Sequence, residues 1–211
     1  MADRNKTFLL AVPEARVLEW IAKRVPRWLK PDHFTALGVA ASMAIAAAYV
    51  LSNGDRMWLW AASALLVVHW LGDSLDGTLA RVRRSERPRY GYYLDHLVDA
   101  FATAAIGIGL GLSPYMLLAV GLAIVVAYLI LSINTYLETH AFGVFTLGYG
   151  RFGPTEARLM LIGVNTLLAL GIVGNGLLDV LGIGLAAAMI VALIGRAGRN
   201  LKRLAELEPA A

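Results

Sequence analysis

Asp73, Asp76, Asp95 and Asp99 stand inside otherwise apolar stretches, in the runs Asp73-Ser74-Leu75-Asp76-Gly77-Thr78-Leu79-Ala80-Arg81 and Gly91-Tyr92-Tyr93-Leu94-Asp95-His96-Leu97-Val98-Asp99. A carboxylate at the centre of a transmembrane helix costs roughly 2.5–3.5 kcal/mol on insertion scales, so four of them require cationic or aqueous compensation. Asp73 and Asp76 are three residues apart and Asp95 and Asp99 four, spacings that put each pair on one helix face. Two such helices facing each other would present an all-oxygen donor set, suited to hard divalent cations such as Mg²⁺, Mn²⁺ or Ca²⁺. Gly77 and Ala80 follow Asp76 by one and four positions, leaving a groove where a bulky ligand can approach the backbone. Arg81 closes the run with a positive fork suited to phosphate. Carboxylates, small residues and an arginine together point to a metal-bound nucleotide diphosphate.

The elements that must carry these groups follow from composition. With 58% hydrophobic and 16% charged residues and 21 glycines in 211, the chain reads as an all-α integral membrane protein with one bundle. Six apolar segments approach the ~20 residues that span hydrocarbon: residues 34–53, 57–80, 91–112, 115–137, 156–174 and 177–195. Turn chemistry separates them at Ser52-Asn53-Gly54-Asp55, Ser113-Pro114 and Gly174-Asn175-Gly176. This predicts a six-helix transmembrane domain at residues 34–196, flanked by an N-terminal segment at 1–33 and a C-terminal tail at 197–211. In the N-terminal segment Val17, Leu18, Ile21, Val25, Trp28 and Leu29 recur at helical spacing among Arg16, Lys23, Arg24, Arg27 and Lys30. That pattern predicts an interfacial amphipathic helix. The first 33 residues are charged and lack a continuous apolar core, so no cleavable signal is expected.

Seven of the 19 Lys and Arg residues precede residue 31, five lie at 81–89, two are Arg151 and Arg158, and four lie at 196–203. Six spans put all four groups on one side and leave only Arg56 on the other. The positive-inside rule therefore predicts that both termini and the aspartates face the cytoplasm. Topology and anionic lipid headgroups account for a pI near 9.5, and nucleic acid is not an expected partner. Without cysteine, disulfides and thiolate metal sites are excluded. Gly107, Gly109 and Gly111 on the third segment predict close helix packing.

The two aspartate runs resemble the signature of the CDP-alcohol phosphotransferase family, D-x2-D-G-x2-A-R followed after a short loop by G-x3-D-x3-D. Asp73, Asp76, Gly77, Ala80, Arg81, Gly91, Asp95 and Asp99 fill its fixed positions, and the nine-residue loop from Val82 to Tyr90 is one longer than the commonest form. The resemblance implies that the four aspartates hold two divalent ions, Mg²⁺ or Mn²⁺, which bind the CDP pyrophosphate. It implies that Asp99 takes the proton from an acceptor alcohol and that CMP leaves. It implies Gly77, Ala80 and Arg81 as substrate contacts, a CDP-alcohol and an alcohol as partners with a lipid on one side, and a homodimer as a common assembly.

Two further stretches resemble the choline and ethanolamine branch. Pro26-Arg27-Trp28-Leu29-Lys30-Pro31-Asp32-His33-Phe34-Thr35-Ala36-Leu37-Gly38 is similar to P-x-W-x-x-P-N-x-x-T-x-x-G, with Asp32 where asparagine is usual, and implies Thr35 as a nucleotide contact. Arg151-Phe152-Gly153-Pro154-Thr155-Glu156 is similar to that branch's R-F-G followed by T-E, with a shorter gap. The Asp95-His96 pair also occurs there, which makes His96 a candidate base alongside or instead of Asp99. Use of CDP-diacylglycerol with a polar acceptor is equally compatible with the fixed motif.

Blander readings stand beside these. A cation or proton-coupled transporter also places carboxylates in membranes, but does not need the Gly-x-x-Ala-Arg register. A prenyltransferase would carry aspartate-rich motifs in two well-separated loops. Arg151, Glu156 and Arg158 lie before and at the start of the fifth apolar segment, where charges must be paired or face a cavity, so they are candidates for headgroup or acceptor binding. His33, His69 and His140 are read as structural. Arg83, Arg84, Arg87 and Arg89 are read as a topology and lipid-surface signal.

Overall fold

The computed structural model describes residues 10–143, 153–174 and 176–208. Among these residues lie seven helices and no strand: α1 (Ala11–Ala22), α2 (Pro31–Leu51), α3 (Trp58–Val82), α4 (Pro88–Gly111), α5 (Leu118–Phe142), α6 (Pro154–Ala169) and α7 (Leu177–Leu207). Four of them, α2, α4, α5 and α7, are long and apolar enough to cross a membrane. α3 has the length, at 25 residues, but carries His69, Asp73 and Asp76. α6 has 16 residues, short of the ~20 of a straight span.

Four boundaries differ from the sequence pattern: α5 runs past residue 137 to Phe142, α6 stops at Ala169 before residue 174, and α1 and α7 have plain local causes. α1 starts at Ala11 and stops at Ala22, although apolar residues continue at helical spacing to Leu29. Pro26 and Pro31 lack an amide hydrogen and restrict the residues before them, so the chain between α1 and α2 runs through turns. α7 instead passes residue 195 and continues to Leu207. Residues 196–207 hold no proline and a single glycine, Gly198, so nothing in them stops a helix.

α2 is the central element. It packs against α3 and α4; α1 and α6 pack on α3, α5 packs on α4, and α7 packs on α5. Small residues set these approaches, as lipid offers no hydrophobic force between helices and close van der Waals contact must substitute. At the α2–α3 crossing a Cβ on Gly72 would stand 2.6 Å from the Gly38 amide nitrogen and 2.8 Å from the Phe34 carbonyl oxygen. A Cβ on Gly109 would collide with the Ala46 backbone on α2, and one on Gly121 would lie 2.6 Å from the Gly107 carbonyl oxygen, which brings α5 onto α4. A hydrogen-bonded knot crosses the apolar core: Asn165 of α6 donates to Tyr49 Oη on α2 (3.1 Å) and Ser63 Oγ on α3 (3.3 Å). Tyr49 and Asn165 are fully buried, so these bonds satisfy groups that lipid could not.

Gly72→Ala is expected to lower the thermal midpoint in detergent, because the new methyl meets backbone that cannot rotate away; overpacking costs roughly 1–3 kcal/mol. Gly184→Ala on α7, where a Cβ meets nothing within 4 Å, is the matched control and should leave the midpoint unchanged or slightly raised.

Candidate active site

The α2–α3 approach fixes what lies one turn beyond it. Gly38 sits three residues after Thr35 and Gly72 four before Asp76, so backbone contact at the glycines sets those two side chains against each other. Thr35 Oγ1 donates to Asp76 Oδ2 at 2.6 Å. The other Asp76 oxygen accepts the Gly77 amide. Asp73, one turn earlier, accepts from Arg158 Nη2 of α6 at 2.6 Å. α4, which also packs on α2, brings Asp95 and Asp99. Asp73 and Asp95 both lie within electrostatic reach of Asp76 and of Asp99, and Asp99 is within side-chain hydrogen-bonding range of Asp73. The four aspartates therefore gather at one level between α3 and α4.

The set has the donor chemistry of a hard-cation site, carboxylate oxygens only. Among the described residues no three acidic or histidine side chains are already drawn to one ligating point. Protein donors occupy part of the set instead: Arg158 holds Asp73 and Thr35 holds Asp76. Like-charged carboxylates at this range repel, and cationic Arg158 offsets part of that repulsion.

Small residues and the motif arginine lie at the cytoplasm-facing end predicted for α3. Arg81 is exposed in its last turn and donates from Nη2 to Thr78 Oγ1 (2.9 Å). A Cβ at Gly77 would come to 3.4 Å from Arg81 Nη1, so the glycine leaves the guanidinium room to lie along its own helix. Ala80 is half-buried on the same helix, and Gly91, in the first turn of α4, has open space around it. His96 sets its ring against Tyr136 of α5, with Nδ1 3.9 Å from Asp95 Oδ2 beside it. Its Nδ1 lies 2.7 Å from the Tyr92 carbonyl oxygen; a carbonyl can only accept, so Nδ1 carries the proton and Nε2 is the ring's acceptor. Tyr92 lies tilted against it at 4.1 Å between ring centroids, and Tyr136 meets it edge-on at 5.1 Å. These three residues line an open, largely apolar cavity of about 670 Å³ that extends to Leu97, Thr139 and His140.

The remaining predicted contacts divide. Arg158 reaches the aspartates. Glu156 is buried, and its oxygens accept the Gly153 amide (3.0 Å) at the start of α6 and the Leu10 amide (2.9 Å) before α1. A glutamate at the third helical position reaching back to the amide before the helix is a helix-start signature, a signal available in Gly153-Pro154-Thr155-Glu156. Arg151 lies outside the described residues. His33 is structural, as expected: its Nδ1 accepts the Lys30 amide at 3.0 Å at the start of α2.

Sequence reasoning missed three local devices. Arg83, read as a surface charge, donates to the carbonyls of Val25, Pro26 and Leu29 and so ties the α1–α2 connection to the end of α3. Asp32 pairs with Arg87, whose guanidinium also stacks 3.9 Å over Tyr90. The Asp32 hydrogen bond holds that guanidinium above the ordinary arginine range. Glu14 of α1 takes hydrogen bonds from both α3 and α6.

A model of the family described as CDP-alcohol phosphatidyltransferase matches residues 28–196. The chain belongs to that family. The matched region contains every aspartate of the site, helices α2 to α6 in whole and α7 up to Arg196, so this family's fold is the bundle described above. Phosphatidylinositol phosphate synthase of Cutibacterium acnes is 32% identical over 99 residues, which is 46% of this chain and 45% of that one. Cholinephosphotransferase 1 of Danio rerio is 24% identical over 190 residues, 83% of this chain and 48% of that one. The matches thus span about half the length of these curated relatives. The crystal structure of phosphatidylinositol phosphate synthase from Mycobacterium tuberculosis, with CDP-DAG bound, superposes with a TM-score of 0.65 at 24% identity, covering 88% of this chain and 94% of that one. That likeness establishes a shared fold.

If the family's four aspartates are the cation site, Mn²⁺ titrated into the detergent-solubilised protein should lose its free-ion electron paramagnetic resonance signal. Asp76→Asn and Asp95→Asn should each restore most of it. Equal Mn²⁺ uptake by all three proteins would remove the aspartates as ligands.

Proposed function

We propose that this protein transfers a substituted phosphate group from a CDP-alcohol to an acceptor alcohol, releasing CMP, in phospholipid synthesis. The observation that carries the reading is the gathering of Asp73 and Asp76 on α3 with Asp95 and Asp99 on α4, with Arg158 of α6 bonded into the set at 2.6 Å. Asp73, Asp76, Asp95 and Asp99 would hold two divalent ions, Mg²⁺ or Mn²⁺. When bound, such a pair neutralises charge on the diphosphate and on the attacking and leaving oxygens.

The chain's own residues do the rest. Arg158 and Arg81 supply guanidinium forks for phosphate oxygens at the two edges of the carboxylate set. Thr35 orients Asp76 through its 2.6 Å hydrogen bond. Asp99 accepts the proton of the acceptor hydroxyl, which is a poor nucleophile without a base at neutral pH. His96, with its acceptor nitrogen Nε2 set by the Tyr92 bond, is the second candidate for that proton. The apolar, tyrosine-lined cavity beside His96 suits a lipid group next to the site. It serves equally for a lipid acceptor with CDP-choline or CDP-ethanolamine and for a CDP-diacylglycerol donor with a polar acceptor; the relatives include names of both kinds.

The same reading carries the topology. Six spans formed by α2 to α7 put both termini and the aspartates on the cytoplasmic side, as the distribution of basic residues requires. α1 then lies along the interface. Val12, Val17 and Trp20 are exposed on it, and Arg24 stacks 3.9 Å over the Trp20 ring, a pairing of apolar and cationic groups suited to an anionic headgroup layer.

Purified protein assayed against a panel of CDP-alcohols and acceptors is expected to release CMP with one pairing, and to stop when the divalent metal is chelated. Asp99→Asn should lower turnover by at least ~10²-fold, the scale of a lost general base, while the protein still elutes as a folded species. Retained turnover would take Asp99 out of the mechanism. Because the chain has no cysteine, single cysteines at Arg89 and Asn53 report sidedness: membrane-impermeant maleimide added to intact cells should label Asn53→Cys and spare Arg89→Cys.

A further inference from the structure

Around a single carboxylate of α1, the middle of α3 and the first turn of α6 meet. Glu14 Oε1 accepts from Trp70 Nε1 at 2.7 Å and Ser74 Oγ at 3.3 Å, both on α3, and from Thr155 Oγ1 of α6 at 3.0 Å. Trp70 and Ser74 are one turn apart on either side of Asp73, and Thr155 lies one turn before Arg158. The next link between the same two helices is the Arg158–Asp73 pair. A second carboxylate runs in the reverse direction, from α6 to α1, since Glu156 Oε1 accepts the Leu10 amide. The clasp is seated on apolar packing: Glu14, Leu18 and Ala22 form one stripe at four-residue spacing, and Leu18 and Ala22 are buried with Leu75 and Leu79 of α3.

We propose that Glu14 is a positioning residue for the phosphotransfer reaction: by gripping α3 and α6 together it fixes the height of α6 on α3, and so holds Arg158 at Asp73. The proposal rests on the phosphotransferase reading above. Three donors on two helices converge on one oxygen, so α6 cannot slide along α3 without breaking a bond to Glu14. Arg158 lies a single turn from that anchor. A misplacement of about 1 Å in a positioned group costs on the order of 10²-fold in rate, so loosening the clasp should be felt at the site even though Glu14 touches neither substrate nor metal. A glutamine oxygen has two lone pairs for the two shorter bonds, from Trp70 of α3 and Thr155 of α6, which separates geometry from charge.

The test has two arms, both in the full chain. Glu14→Ala should lower kcat for CMP release roughly tenfold to hundredfold, whereas Glu14→Gln should stay within about threefold of the parent; rates are taken per folded protein after size exclusion. In the second arm, spin labels on Val67→Cys of α3 and Met160→Cys of α6, both exposed, report the distance between the two helices. A narrow distance distribution that broadens or shifts in Glu14→Ala and is preserved in Glu14→Gln supports the proposal. An unchanged distribution in Glu14→Ala overturns it, as does a changed distribution with undiminished kcat. Failure of the parent protein to release CMP from any CDP-alcohol would sink the enzymatic reading and the catalytic half of this proposal, and the distance arm would still decide by itself whether Glu14 fixes α6.

Discussion

Backbone packed on backbone at Gly38 and Gly72 is the constraint on which the rest of the site depends. Two helices normally keep their axes 8–10 Å apart, the distance set by the side chains between them. With no side chain at the crossing, α2 and α3 approach until a Cβ on Gly72 would be 2.6 Å from the Gly38 nitrogen. That approach fixes the rotation and height of one helix on the other, and Thr35 and Asp76 are within one turn of it on either side. The same device, repeated where Gly109 meets Ala46, seats α4 on α2. Asp95 and Asp99 are thereby carried to the level of Asp73 and Asp76 through a shared neighbour.

Charges and polar groups embedded in such a bundle have to find partners within it, and those partners tie the outer helices on. Arg158 joins α6 to α3 through Asp73. Arg196 of α7 makes a bidentate pair with Glu138 of α5 at 2.6 and 3.0 Å, with Asn200 adding a third bond to the same carboxylate. Removing one member of such a pair strands the other charge, which costs more than the pair contributes. α1 is attached in the same way by Glu14, so a helix read from its composition as a membrane-surface element is also bonded into the site's support. The bundle is held at its waist by small residues and, at the end that carries the aspartates, by carboxylates.

Much of the fold was legible. Apolar runs of span length, turn residues between them and the positions of Lys and Arg sufficed to anticipate helices α2 to α7. Where the boundaries of α1 and α7 moved, local chemistry explains it: prolines ended α1 at Ala22, and a stretch without a helix breaker let α7 run on to Leu207. The aspartates were legible because four carboxylates in apolar surroundings are costly and their spacing puts each pair on one face. Arg83 and Glu156 were less legible. Arg83, read as a topology and lipid-surface charge, holds three carbonyls of the α1–α2 connection, and Glu156, a candidate for headgroup or acceptor binding, accepts the Gly153 and Leu10 amides. Nothing in one dimension announces which carbonyls an arginine will meet 54 residues away.

Residue types and their intervals along the chain determined by themselves that this is a helical membrane bundle with an acidic, oxygen-only cluster, because hydropathy, helical period and the cost of a buried charge are local properties. Folding in three dimensions decided which carboxylate each cationic or hydroxyl group engages: Arg158 on Asp73, Thr35 on Asp76, and Glu14 across two helices. Those pairings depend on the depth at which α6 and α1 settle on α3, and depth is set by the fit of small residues and side chains between elements distant in sequence.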